Sequence, residues 1–222
     1  MKVAVMQPYF FPYIGYFQLI KAVDYFVIFD DVNYIKRGWV SKNRILHNGN
    51  IIKMTLPIQK ASQNRKINQH IRSIDLKALD KIKKQLQSAY CKAPNFKSLY
   101  PLLGNIIDNP EQNLALYLTH LLTEISAFME INTQFIYASE LSNHDDWDSA
   151  QDRIIDLTKT LGGTEYYNLP GGRDLYDQQR FAKQNINLKF ITPDLNKYSQ
   201  AHTDSFIPGL SVIDYLMCNE RD

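Results

Sequence analysis

Three short segments gather the polar, charged and glycine residues that could do chemistry. The first is Gln7-Pro8-Tyr9-Phe10-Phe11-Pro12-Tyr13-Ile14-Gly15-Tyr16. If a helix begins near Tyr13, its free amides and partial positive charge would favour a phosphate, and Gly15 would let that phosphate come close. Gln7, Tyr9, Tyr13 and Tyr16 would then hold the ring of a base or sugar, while Phe10, Phe11 and Phe17 equally suit an aromatic plug of the core. The second segment runs Asp30-Asp31-Val32-Asn33-Tyr34-Ile35-Lys36-Arg37-Gly38-Trp39. Paired aspartates can hold magnesium or take a proton from an amine, and Arg37 can grip a phosphate or carboxylate with two parallel donors. Ser41, Asn43 and Arg44 extend the row, with Lys36, Arg37 and Arg44 as candidate anion neutralisers and Asn33, Trp39 and Asn43 as ligand contacts. A salt-bridged loop in which Asp30 caps a turn is the plainer reading. The third segment, Asn168-Leu169-Pro170-Gly171-Gly172-Arg173, puts two glycines where backbone could approach a ligand, or where a strand simply turns into a helix.

Other arrangements are missing. The five histidines, His47, His70, His120, His144 and His202, show no metal-ligand spacing, and neither a Walker A loop, a G-x-G-x-x-G fingerprint nor a G-x-S-x-G elbow occurs. Neither zinc nor NAD is therefore expected. His144-Asp145-Asp146-Trp147-Asp148 reads as a cation loop or, more simply, as acidic residues capping a helix.

The elements that must position these groups follow from hydrophobic periodicity. Lys2 to Met6 reads as a buried strand, 13–23 as a helix and Tyr25 to Phe29 as a second strand, a β-α-β unit of about 30 residues whose ligands would sit beyond the carboxyl ends of its strands. Asn43 to Leu46 and Ile51 to Pro57 flank an Asn48-Gly49 hairpin turn. Gln59 to Gln69 is polar, basic and aperiodic, and is expected to be a mobile loop. Helices are expected over 76–90, 95–108 and 112–130, a strand over Gln134 to Ala138, a capped helix over Ser149 to Leu161 stopping at Gly162, then a strand over Glu165 to Asn168, a helix near 177–185, a strand over Leu188 to Thr192 and a final helix from Ser211. The sum is one α/β domain over 1–222: a mostly parallel, Rossmann-like sheet of about five strands, a β-hairpin flap and basic loop at about 43–75, and a helical insertion at about 76–131.

Composition agrees, with 45% hydrophobic and 22% charged residues in a chain of 222. Cys91 and Cys218 are too few for a disulfide framework. No apolar run reaches the roughly 20 residues a membrane helix needs, and MKVAVMQPYF is too short for a signal-peptide core, so a cytoplasmic location is expected. The net charge of +2 hides a separation: Lys36 to Lys97 holds 15 Lys and Arg against Asp75 and Asp80, whereas Asp108 to Arg180 is acidic. Such a field attracts anions, unless the lysines of 76–90 are merely a solvated face. Nucleic acid is not expected, since no recognition signature is present.

The blocks MQPYFFPYIGYFQLI, DDVNYIKRGWVSKNRI, LPIQKASQNRKI, YYNLPGGRDLYD and GLSVIDYLM resemble the WbqC-like family along essentially the whole chain. The resemblance implies a role among bacterial O-antigen and surface-glycan genes, and a transferase attaching glycine or a similar acyl group to an amino sugar. The implied partners are a nucleotide-linked or lipid-linked amino sugar and an amino acid or other acyl donor, with ATP and magnesium for activation; the oligomeric state stays open. A non-catalytic sugar-nucleotide binder or scaffold is the alternative. Tyr13-Ile14-Gly15-Tyr16 also resembles the H-x-G-H turn of the HUP nucleotidyltransferases with tyrosines in place of both histidines, which would leave charge neutralisation to Lys36, Arg37 or Arg44.

Overall fold

A computed structural model describes residues 1–141, 146–200, 203 and 205–219. His144, Asp145 and His202 lie outside the described residues.

Five strands form a wholly parallel sheet: β1 (Lys2–Met6), β2 (Tyr25–Ile28), β5 (Gln134–Tyr137), β6 (Glu165–Asn168) and β7 (Asn187–Phe190), in the order β5-β2-β1-β6-β7. β3 (Lys42–His47) and β4 (Asn50–Thr55) make a separate antiparallel hairpin. Its Asn48 and Gly49 both take positive φ, +48° and +74°, the conformation that two-residue hairpin turns require.

Alternation along β1 and β2 divides the core in two, because successive side chains leave a strand on opposite faces. Val3, Val5 and Val27 join Tyr166, the apolar stripe of α6 (Ala150–Thr160) and Phe181 of α7 (Gln178–Lys183). Ala4, Phe26 and Ile28 pack instead against α1 (Ile14–Lys21), α2 (Leu76–Tyr90), α3 (Phe96–Asp108), α4 (Leu114–Phe128) and α8 (Val212–Cys218). Phe10, Phe11 and Phe17 belong to this second cluster and are wholly buried, so the plug reading holds for them. The sheet is thus covered on both faces, which is why its inner strands are near-continuously apolar.

The predicted elements are present within a few residues, including the helix begun by Ser149, whose hydroxyl accepts from the Asp152 amide, and ended at Gly162 with φ +68°. One expectation fails. Residues 59–69 are not a free loop but wrap His70, whose Nδ1 donates to the Lys66 carbonyl while Nε2 accepts from the Ser62 amide. Ile67 beneath is fully buried, and its amide bonds to the Val32 carbonyl. One apolar residue and one doubly hydrogen-bonded histidine anchor a stretch whose polarity alone reads as solvated.

Candidate functional site

The strand order reverses at β1: the chain leaves it for β2 on one side and later returns to β6 on the other. The loops beyond β1 and β6 therefore part, and a crevice opens between them, the place where open parallel sheets take ligands. Here it is a cavity of about 950 Å³.

Its first wall is the loop after β1. Gln7, Tyr9, Tyr13 and Tyr16 line it. Phe11 is left-handed there at φ +45°, a conformation costing a non-glycine residue roughly 1–2 kcal/mol. The buried carbonyls of this turn are captured in return: the Asn43 amide donates to the Phe10 and Phe11 oxygens, and the Ser211 hydroxyl donates to Phe11 as well. Asn43, on the hairpin, is thus a brace for this loop as much as a lining residue. The Tyr16 hydroxyl donates to the Gln7 carbonyl at 2.7 Å. Burial pushes the Tyr16 phenol well above its ordinary range and, more modestly, those of Tyr9 and Tyr13, so all three are neutral hydrogen-bonding groups.

The second wall follows β6. Asn168 donates to the hydroxyls of Tyr166 and Tyr176 and accepts from the Leu169 amide. A Cβ on Gly172 would come within 3.0 Å of the Asn168 amide, so this glycine allows the turn to close. A Cβ on Gly171 would meet nothing within 4 Å, so its backbone is open to the cavity it lines. Gln151 of α6 clips this loop by donating to the Asp177 carbonyl and accepting from its amide.

The third wall, which sequence reasoning missed, comes after β7: Pro193, Leu195 and Gly209. Gln18 on α1 holds Asp194 by two bonds of 2.9 Å, and buried Asp214 accepts from Tyr198, Gln200 and Tyr90. Burial raises the Asp214 carboxyl, and these three donors partly offset it. The rule that ligands meet loops after strands, applied to β7 as it was to β1, β2 and β6, would have found Pro193. Nothing in the sequence singles out Gln151.

Nine of the predicted contacts meet here: Gln7, Tyr9, Tyr13, Tyr16, Trp39, Asn43, Asn168, Gly171 and Gly172. Others do not. Gly15 faces no open phosphate seat, because its Cβ would lie 2.4 Å from the Tyr13 ring and 2.7 Å from Pro193; the glycine lets two walls close on α1. Asp30 and Asp31 diverge. Asp30 is buried and accepts from the amide and hydroxyl of Ser139, at the start of α5 (Ala138–Leu141), and from Asn68. Asp31 pairs with Arg153, whose guanidinium lies between the rings of Phe29 and Trp147 at 4.7 and 4.6 Å. Among the described residues no three His, Cys, Asp or Glu side chains stand together as metal ligands would. Asn33, Lys36 and Arg37 are exposed and away from the lining, with Arg37 at φ +65° in a turn closed by the Gly38 amide on the Ile35 carbonyl.

Arg44 stands at the margin. Its guanidinium is 5.7 Å from the Trp39 ring and reaches toward Gly209, both of which line the cavity. Its Nε is cut off from water without an acceptor. Among the described residues that line the cavity there is no Asp, Glu, His, Lys or Cys. The surface left for a ligand is aromatic and amide-bearing, with one guanidinium at its edge: suited to a ring system carrying an anionic group.

Fold and site together define an open, doubly covered parallel α/β protein with a crevice at the strand-order reversal. The chain belongs to the WbqC-like protein family, which it matches over residues 7–222. It is 29% identical to "Uncharacterized protein Rv1507c" of Mycobacterium tuberculosis (strain ATCC 25618 / H37Rv), an alignment taking in 97% of this chain and 92% of that protein. No solved structure gives a significant match. Among the described residues no helix is long and apolar enough to cross a membrane.

Proposed function

We propose that this protein is a transferase of bacterial surface-glycan (O-antigen) assembly that seats a nucleotide-linked or lipid-linked amino sugar in the cavity and directs an acyl or aminoacyl group, of glycyl type, to its amine. One observation carries the reading: a cavity of about 950 Å³ lies over the carboxyl ends of β1 and β6, where the strand order reverses, and is walled by Tyr9, Tyr13 and Trp39. Aromatic faces suit a base or sugar ring, and the neutral phenols of Tyr9 and Tyr13 suit its hydroxyls.

In this scheme ATP, with magnesium on its phosphates, activates the acyl donor's carboxylate as an adenylate, and pyrophosphate leaves. The sugar amine then attacks the acyl carbon, an amide forms and AMP departs. Asp30 and Asp31 are engaged elsewhere, so the amine reacts as its free base and passes its proton to the departing phosphate or to water. Catalysis would come from positioning two reactants rather than from a general base.

The absence of any acid or base other than tyrosine among the described lining residues favours a second reading, a non-catalytic sugar-nucleotide binder of a glycan-assembly complex. Thermal-shift titration with ATP, nucleotide sugars and amino acids, with and without magnesium, followed by mass spectrometry of the mixture, separates the two. Stabilisation by ATP with magnesium and a new amide support the transferase. Stabilisation by sugar nucleotides with ATP unconsumed supports the binder, and no stabilisation by any of them defeats both.

A further inference from the structure

Among the described residues four arginines are drawn at least partly out of solvent, and three of them have acceptors; Arg65 donates to the Lys60 carbonyl. Arg72 is fully buried and donates to the carbonyls of Glu111, Ile107 and Asn109 over the ring of Tyr117. Arg153 shares with Arg44 a buried Nε without an acceptor, but its Nη2 pairs with the Asp31 carboxylate. Arg44 is half-buried, and no described residue accepts a hydrogen bond from its side chain or lies within ion-pair distance of it. A guanidinium partly removed from water without acceptors is costly, and the natural partners of its planar fork are carboxylates and phosphates.

The hairpin register adds a second observation. Arg44 is paired directly across from Lys53, and Lys42, two residues before Arg44, shares its face. Like charges directly opposed on a sheet destabilise it unless an anion lies between them, and among the described residues no carboxylate bridges to Lys42, Arg44 or Lys53. Of these three cations Arg44, which stands between the two lysines, reaches the cavity wall at Trp39.

We propose that this hairpin face is a diphosphate subsite. Arg44 holds the phosphoryl group nearest the cavity with its fork, and Lys53 with Lys42 holds the next one outward. The substrate class is therefore a ring-bearing compound joined through a pyrophosphate bridge, rather than a monophosphate or a free sugar. This rests on the reading above that the cavity seats the ring.

Calorimetric titration of the full chain with inorganic phosphate, pyrophosphate and a nucleoside diphosphate sugar tests it, using wild type, Lys53→Gln, Arg44→Gln and Arg44→Lys, each checked for native circular dichroism. Wild type should bind pyrophosphate at least about tenfold more tightly than phosphate, since a second charge-assisted contact is gained. Lys53→Gln should remove that advantage and leave phosphate binding unchanged. Arg44→Gln should weaken both anions, with Arg44→Lys recovering them in part. Equal affinity for the two anions, or unaltered pyrophosphate binding in Lys53→Gln, overturns the proposal. Sugar-nucleotide binding indifferent to all three substitutions overturns it too, while leaving the cavity reading intact. Pyrophosphate bound as predicted, but no more weakly than the sugar nucleotide, upholds the subsite and defeats the cavity reading instead.

Discussion

Arg72 and Arg44 make an instructive pair. Both are drawn out of solvent and both lie near an aromatic ring, Arg72 at 3.8 Å from Tyr117 and Arg44 at 5.7 Å from Trp39. Around Arg72 the last turn of α3 and the chain that follows it turn three carbonyls inward, so the guanidinium joins the helical layer as a structural rivet. Around Arg44 the neighbours are a ring, a glycine and two lysines of the same hairpin face, and its Nε finds no acceptor. Burial of the same side chain has opposite meanings, and the acceptors decide which. The same test separates Asp30, saturated by Ser139 and Asn68, from Gly171, whose surroundings are open.

The contrast can be broken by substitution. Arg72→Met should cost about 3–5 kcal/mol in urea denaturation, because it orphans buried carbonyls and leaves space above Tyr117. A cost near zero would erase the distinction. Gly15→Ala should cost about 1–3 kcal/mol by forcing Tyr13 and Pro193 apart, and should weaken ligand binding at the same time, since both form cavity walls. Asp30→Asn should lower stability by about 1–2 kcal/mol, as an amide group cannot accept all three bonds, while nucleotide-sugar affinity measured by calorimetry stays within about twofold. A complete loss of activity at unchanged stability would instead return Asp30 to the chemistry. Arg44→Met should alter stability by less than about 1 kcal/mol, or raise it slightly, yet weaken anion binding as Arg44→Gln does. Gly171→Ala should leave the denaturation midpoint where it is, within about 0.5 kcal/mol, and sharpen the contrast with Gly15 if it changes ligand affinity alone.

Much of this was legible in the sequence, for physical reasons. Strands with β-branched runs, an Asn-Gly turn and a serine cap announce themselves locally, so the sheet, the hairpin and α6 follow from short windows. The strand-end rule pointed to the loops after β1 and β6, and their aromatic and glycine residues do meet. What escaped was set by distant partners. Asp30 and Asp31 look like a pair until Ser139 and Arg153, more than a hundred residues away, draw them apart. Gly15 looks like an opening until Pro193 fills it. His70 and Ile67 convert an aperiodic stretch into a fixed one, a result no polarity count contains.

The walls of the cavity are drawn from Val5 at one extreme and Gly209 at the other, and the Phe11 carbonyl waits for the hydroxyl of Ser211. β2 must likewise find β5 after the whole hairpin and helical layer have intervened. On a ribosome the hairpin can close early from neighbouring residues, whereas the crevice can take shape only once Gly209 and Ser211, some two hundred residues after β1, have emerged. A nascent or truncated chain would thus display its cationic ribbon before it owned a place to put the rest of a ligand.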